Sequence, residues 1–337
     1  MLRFFSILSI LLLLLFLGLR LFRLPTLTLE RDEKTSLRIR KNDNESEDKD
    51  FFNVLHLRLD GNRYFSFLEI PAGSFQMGKR DAEKFGSDKQ AKQALPIHQV
   101  EIRKKFYFGR FEVTRRQWNL AVDLPRVNKD LIRFEAKSIS DSLPATDLSY
   151  SDAQEFCDRL NKALNNEYAD RLAKTNSEKI VVRLPSEAEW EYSCRAGTEN
   201  IYGISNKVIR DSMNVIVPFD EEKWKEAPEW ARDLKDKMSL TKNEILGSSN
   251  FDGNLFGLLA MNGNVWEMTS DNWHEDYSYT SKDSNLFVIR GGAYSRDSFM
   301  AQCSYRTNAT FTSTGNDQTG FRIVIEADAI DKLFPSK

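Results

Sequence analysis

Three helix starts lie close together in the middle of this sequence, and past Gly197 the helical signals fade. Thr114 precedes Gln117 in "VTRRQWNLAV", and Ser186 precedes Glu189 in "RLPSEAEWEYSCRAGT". At that spacing the hydroxyl takes one orphan N–H while the longer side chain reaches back to another. Between them, "LSYSDAQEFCDRLNKAL" places Ala153, Phe156, Cys157, Leu160, Ala163 and Leu164 on one helical face, with Ser149 or Ser151 available as the cap. Gly197 stops the last helix. Glycine, asparagine, aspartate and aromatics then take over, a composition that predicts short strands on long loops. Upstream, "IHQVEI" alternates in strand fashion, and "FSFLEIPAGSFQMG" predicts a hairpin turned at Pro71-Ala72-Gly73. There is no internal repeat. The fold class is α+β, with helices in the middle and an irregular, strand-rich C-terminal half.

The chain has 337 residues, 41% of them hydrophobic, and a formal charge of -2. That is enough to bury a substantial core, and it gives no electrostatic case for nucleic acid. Its three cysteines are too few for a disulfide-built miniature fold. His56, His98 and His274 are scattered, so a histidine-rich metal centre is not expected. No phosphate-binding glycine loop and no Ser-His-Asp set appear.

At the N-terminus, Arg3 is followed by an apolar run over residues 4–19, then Arg20, Arg23 and Pro25. A membrane-spanning helix needs ~17–25 mostly apolar residues, which this run reaches if Arg20 and Arg23 snorkel. No small-x-small cleavage site follows Leu19, so residues 1–24 are expected to be an uncleaved signal anchor rather than a signal peptide. Residues 26–50 are strongly charged and predict a flexible tether. The expected plan is an anchor at 1–24, a charged linker at 25–60, a folded domain at 61–328 and a tail at 329–337. "NES" at Asn44 and "NAT" at Asn308 fit the glycosylation acceptor pattern.

Seven motifs carry a resemblance: "IPAGSFQMG", "PIHQVEIRKKFYFGRFEVTRRQW", "LPATDLSYSDAQEFCDRLN", "VRLPSEAEWEYSCRAGT", "FGLLAMNGNVWEMTSDNW", "VIRGGAY" and "TGFRIV". In this order, over roughly residues 65–325, they resemble the formylglycine-generating enzymes, or sulfatase-modifying factors. The resemblance implies a fold related to C-type lectins, with little regular secondary structure. The residues themselves have plainer roles as well. Trp190, Trp266 and Trp273 are expected in the core, and Arg183, Arg195, Arg290 and Arg322 are expected to pin carbonyls and carboxylates. Gly291 and Gly292 suit positive φ or close backbone approach.

The resemblance also implies chemistry that this sequence does not fully carry. Active members bind copper(I) through a cysteine pair just after the "RGG" strand and oxidise a cysteine of a client sulfatase to formylglycine. The chemistry needs two soft thiolates, but the corresponding stretch here, "AYSRDSFMAQ", has no cysteine and is a few residues shorter. Copper is therefore not expected, and no catalytic residue is assigned. Cys303 matches a structural cysteine that the family pairs with one on the "EWEYSC" helix, here Cys194, so the resemblance implies a Cys194–Cys303 disulfide. Cys157 would be partnered by the position after "GFR", which is Ile323, leaving it unpaired. A disulfide places the domain in an oxidising, extracytoplasmic compartment.

Calcium is a further implied ligand, held by backbone oxygens of Gly263 and Val265 and the side chain of Glu267, with Asn214 opening a second segment. A carboxamide or carboxylate expected three residues before Gly263 is replaced by Ala260. "DNWHEDYSY" gathers acids, aromatics and His274 on a loop that lines a ligand cleft or forms solvated surface. Three functions follow: a membrane-tethered binding or assembly module for an extracytoplasmic protein partner, a sulfatase-modifying oxidoreductase acting on a client, and a lectin-like receptor.

Overall fold

The computed structural model describes residues 27–39, 48–60, 63–134, 140–205, 213–215, 245–247, 251–278, 285–311 and 315–335. The expected anchor lies outside them, as does Asn44. Among the described residues no helix is long and apolar enough to cross a membrane.

The strands form two larger sheets and a two-stranded ribbon. The larger has the order β1-β2-β3-β6-β12-β7, from β1 (Thr28–Ile39), β2 (Asp48–Asp60), β3 (Arg63–Ile70), β6 (Phe106–Gly109), β12 (Val324–Glu326) and β7 (Val182–Arg183). The second has the order β10-β9-β8-β11, from β10 (Arg306–Thr310), β9 (Leu286–Arg290), β8 (Trp266–Asn272) and β11 (Thr319–Gly320). A separate ribbon pairs β4 (Gly73–Met77) with β5 (His98–Ile102).

The charged stretch expected to be a tether instead enters the larger sheet as β1 and β2. Leu27 and Leu29 are buried while Thr28, Glu30 and Asp32 face outward, so the carboxylates of this edge strand occupy its outer face and Arg31 is turned inward. The Leu29 N–H donates to the Tyr168 hydroxyl at 2.6 Å, and Arg31 reaches Glu69 at 3.0 Å. The expected tail likewise folds: helix α6 (Ala327–Leu333) buries Ala329, Ile330 and Leu333. The hairpin expected around Pro71-Ala72-Gly73 also differs. β3 pairs with β2 and β6, β4 pairs with β5, and the bend carries the chain from one sheet to the next.

Helix α1 (Asp88–Gln93) precedes the cleft side of the molecule. The three expected helices form with the caps the sequence specifies. α2 (Arg115–Val122) has the Thr114–Gln117 box, α3 (Tyr150–Glu167) the Ser149–Asp152 box and α5 (Glu187–Arg195) the Ser186–Glu189 box. Short α4 (Ala169–Lys174) follows α3. α5 ends with Ala196 in the left-handed region, one residue before the expected Gly197. Trp118 stacks on Phe156 at 5.5 Å, and Phe321 meets Phe156 edge-on at 5.2 Å, forming the main core. A second core gathers Trp190, Phe108, Leu68 and Val324 around Cys194 and Cys303.

Candidate functional site: a cleft on the second sheet

β9 ends at Arg290, and the next two residues have φ of +96° and +77°. Both are glycines for steric reasons. A Cβ on Gly291 would lie 3.2 Å from the Trp190 ring, and one on Gly292 would lie 3.0 Å from the Ala301 backbone. The chain therefore folds back on itself, makes a short helical turn at Ser298–Ala301 and returns as β10. Between this loop, β8 and β10 lies a cleft of about 520 Å³ lined by Trp266, Ile289, Arg296, Met300, Tyr305 and Gln318, among others.

Two aromatic side chains, Trp266 and Tyr305, stand in a lining that is otherwise mostly polar. The Tyr305 ring meets Phe85 at 5.1 Å and Phe299 at 5.7 Å, and its hydroxyl accepts from Gln90 at 2.9 Å. Burial pushes the Tyr305 phenol up, so it stays neutral. Arg296 is exposed at the rim. The Gln318 Oε1 is buried without a hydrogen-bond partner among the described residues. A buried acceptor left open costs free energy that a ligand donor would recover.

The loop rests on buried ion pairs. Arg290 donates to the Tyr305 carbonyl and to Glu191, and its guanidinium lies 5.2 Å from the Trp190 ring. Glu191 also accepts from Arg195 at 2.9 Å, and Arg195 reaches Glu83 at 3.3 Å. Glu83 in turn accepts from Ser304 at 2.7 Å. Burial alone would raise the Glu191 carboxyl, but Arg195 and Arg290 hold it below its usual range. At Glu83 burial outweighs Arg195 and pushes the carboxyl up. Such a chain positions backbone and excludes water; removing one member leaves a buried charge unpaired.

All three cysteines of the sequence are accounted for. Cys194, on α5, is bonded to Cys303, where the loop leaves the cleft, with a Cα–Cα distance of 5.8 Å across 109 positions. Cys157 is free but buried on α3, where burial pushes its thiol up and away from the reactive thiolate. None of the three lines the cleft.

The residues expected to hold calcium do come together, and the side chains of Glu267 and Asn214 are already hydrogen-bonded. Both Glu267 oxygens accept from Arg322 at 2.6 Å, and Oε2 also accepts from the Trp190 indole at 2.8 Å. The Asn214 carbonyl accepts from the Asn264 N–H at 2.8 Å, and the two side-chain amides meet at 3.0 Å. Asn264 further donates to Glu112 at 3.0 Å and exchanges two bonds with the Leu246 backbone, at 3.0 and 3.1 Å. Gly263 packs against Asn214, and Val265 is fully buried. As arranged, a guanidinium neutralises the one carboxylate side chain of this set and amide bonds tie its loops. Among the described residues no group of three or more His, Cys, Asp or Glu could hold a metal.

Trp190, Trp266 and Trp273 are buried as expected, and Arg195, Arg290 and Arg322 pin carboxylates and carbonyls. Arg183 does the same from a more exposed position, with Glu189 and Glu326. Asn308 sits on β10 at the cleft's edge. Sequence reasoning missed Arg296, Met300, Tyr305 and Gln318 as cleft residues. The first two lie in "AYSRDSFMAQ", which was singled out only for its lack of cysteine.

Residues 60–327 match the family model of the sulfatase-modifying factor enzyme 1-like domain. The chain belongs to this family. Among curated proteins, the mouse formylglycine-generating enzyme is 28% identical over 162 residues, covering 42% of this chain and 38% of the mouse protein. The bovine enzyme is 28% identical over 159 residues, with the same coverage of 42% and 38%. The match thus spans well under half the length of these relatives. Among solved structures, PvdO from Pseudomonas aeruginosa superposes with a TM-score of 0.53 and 23% identity, covering 77% of this chain and 94% of its own. Treponema denticola variable protein 1 gives a TM-score of 0.54 and 18% identity, covering 79% and 96%. These two likenesses are of fold. The sulfatase-modifying factor fold accounts for the mixed sheets and helices described above.

Proposed function

We propose that this chain is a membrane-tethered, extracytoplasmic member of the sulfatase-modifying factor family that binds a protein partner through the cleft and does not oxidise a cysteine. The observation that carries this reading is the placement of the sulfur atoms. Two are bonded to each other, the third is buried on α3, and the cleft beside Arg296 and Met300 has no thiol. Copper(I) held by paired thiolates has no ligands there. What the cleft does offer is two aromatic side chains, Trp266 and Tyr305, a rim guanidinium, an open amide oxygen and further amide and hydroxyl groups, a combination suited to recognition. The disulfide supports an oxidising compartment, and the apolar run at residues 4–19 supports a tether.

The test is copper(I) titration against a competing chelator, with oxygen uptake followed in the presence of a Cys-x-Pro-x-Arg peptide. No stoichiometric copper and no peptide aldehyde are expected. A partner captured from an extracytoplasmic fraction by the wild-type chain is expected to be lost with Arg296→Ala and retained with Cys303→Ser. Copper(I) bound one-to-one, or aldehyde formed in the peptide, would overturn the proposal in favour of the oxidoreductase.

A further inference from the structure

The described part of "DNWHEDYSY", residues 271–278, is not used by the cleft. It lies on the opposite side of β10, because Arg306 faces away from Tyr305 and Thr307 along the strand. There it closes a second cavity of about 450 Å³, which shares no lining residue with the cleft. Its polar walls are the first turn of α5, the end of β8, the start of β5 and the loop itself.

The charges around this cavity do not balance. Glu187 is closed off: Arg306 holds both its oxygens at 2.6 and 2.8 Å, and the Tyr277 hydroxyl adds a bond at 3.3 Å. Arg306 is also fully engaged, donating its remaining nitrogen to the carbonyls of Gln93 and His274, each at 3.0 Å. Asp271 is different. Its Oδ2 accepts the Glu187 N–H at 2.7 Å, while Oδ1 has no partner and no cation pairs with the group among the described residues. The helix does not require that second oxygen. Ser186 and Glu189 already cap α5, and Arg183 neutralises Glu189 at 2.7 Å. Burial and the nearby Glu187 hold the Asp271 carboxyl above its usual range, against the opposing pull of the Glu187 N–H and the more distant Arg306 guanidinium, so a cation seated at Oδ1 would stabilise its charged form.

A second acceptor lies on another element. His98 Nδ1 is 3.0 Å from the Pro96 carbonyl, which can only accept, so in the neutral ring the proton sits on Nδ1 and Nε2 is the acceptor. The His98 ring also packs 4.8 Å from the Tyr277 ring. The cavity thus offers an uncompensated carboxylate oxygen, an imidazole acceptor and an aromatic wall. Anions are repelled. A bare metal ion lacks ligands, since no set of three His, Cys, Asp or Glu converges among the described residues.

We infer that this cavity binds a small organic cation bearing a primary ammonium group. The ammonium donates to Asp271 Oδ1 and His98 Nε2 while the carbon chain lies against Tyr277. The volume suits a molecule of amino-acid or short-diamine size. This inference does not depend on the role of the cleft.

The test uses three probes of equal length, 1,5-diaminopentane, 1,5-pentanediol and glutarate, titrated into the full chain by calorimetry and saturation-transfer NMR at moderate salt. The diamine is expected to bind, the diol at least about tenfold more weakly, and glutarate not at all. Asp271→Asn keeps an acceptor for the Glu187 N–H and is expected to fold while weakening the diamine about tenfold. His98→Gln, at the edge of the β4–β5 ribbon, is expected to weaken it a few-fold and guards against misfolding of the first variant. Equal binding of diol and diamine, wild-type affinity in both variants, or no diamine signal at millimolar concentration would each overturn the inference.

Discussion

Arg322 and Glu267 form a fully buried pair, Nε to Oε2 and Nη2 to Oε1, each at 2.6 Å. Arg322 also donates to the carbonyls of Gly109 at 3.0 Å and Leu259 at 3.1 Å, so one guanidinium ties both sheets and an inter-strand loop. Glu267→Gln leaves that guanidinium buried and unmatched, and is expected to cost about 3–5 kcal/mol in denaturant unfolding. Because the carboxylate is already neutralised, calcium added to the wild-type protein is expected to leave its melting temperature unchanged, and so is chelator. A calcium-dependent rise of several degrees would show that the Arg322 pair yields to an ion.

Thiol counting tests the sulfur arrangement. Under denaturing, non-reducing conditions one thiol per chain is expected to alkylate, at Cys157, and in the native state it is expected to react slowly. Replacing Cys194 and Cys303 together by serine is expected to cost about 2–5 kcal/mol, measured by unfolding, because the bond spans a long loop. Two or three reactive thiols in the native wild-type protein would contradict the structure.

The first strand is expected to be part of the fold. Leu29→Ala removes a buried side chain of the main core and should lower stability by about 2–5 kcal/mol. Tyr168→Phe deprives the Leu29 N–H of its acceptor and should cost about 1–3 kcal/mol. Hydrogen exchange at Leu29 reports the same bond directly. Neither variant should affect stability if the segment were a tether.

Acid stability is expected to depend on Glu155. Burial alone would raise this carboxyl, but the Arg159 guanidinium and the N–H groups of Val127, Asn128 and Lys129 outweigh it and bring it to about 2. The unfolded value is about 4.3, so the folded group has the lower pKa. Its contribution is complete above the unfolded value and is lost as pH falls toward the folded one. Glu155→Gln is therefore expected to flatten the fall in stability between roughly pH 4.5 and 2. An unchanged acid limb in this variant would exclude the role.

Much of this architecture is written locally. The boxes at Thr114, Ser149 and Ser186 need only residues three positions apart, and each helix starts where its cap stands. The first strand was hidden because its outward face is charged; the signal was the alternation of Leu27, Leu29 and Arg31 against Thr28, Glu30 and Asp32. The bend after Ile70 was read as a hairpin because local sequence marks a turn without saying which strands pair across it. The cleft was less legible still. Trp266, Arg296, Tyr305 and Gln318 come from separate segments, and only the pairing of β9 with β10 and of β8 with β11 brings them to one place. The same holds for His98 and Asp271, which lie far apart in sequence and line one cavity.

Asn264 has a consequence for the evolvability of the chain. Its single amide grips both Asn214 and Leu246, so these two positions are held side by side although they lie far apart in sequence. Any peptide joining two such neighbouring posts closes a loop whose entropic cost rises only by about 0.6 kcal/mol for each doubling of length. Changes in the length of sequence between these two posts therefore tax the closure of the chain only weakly.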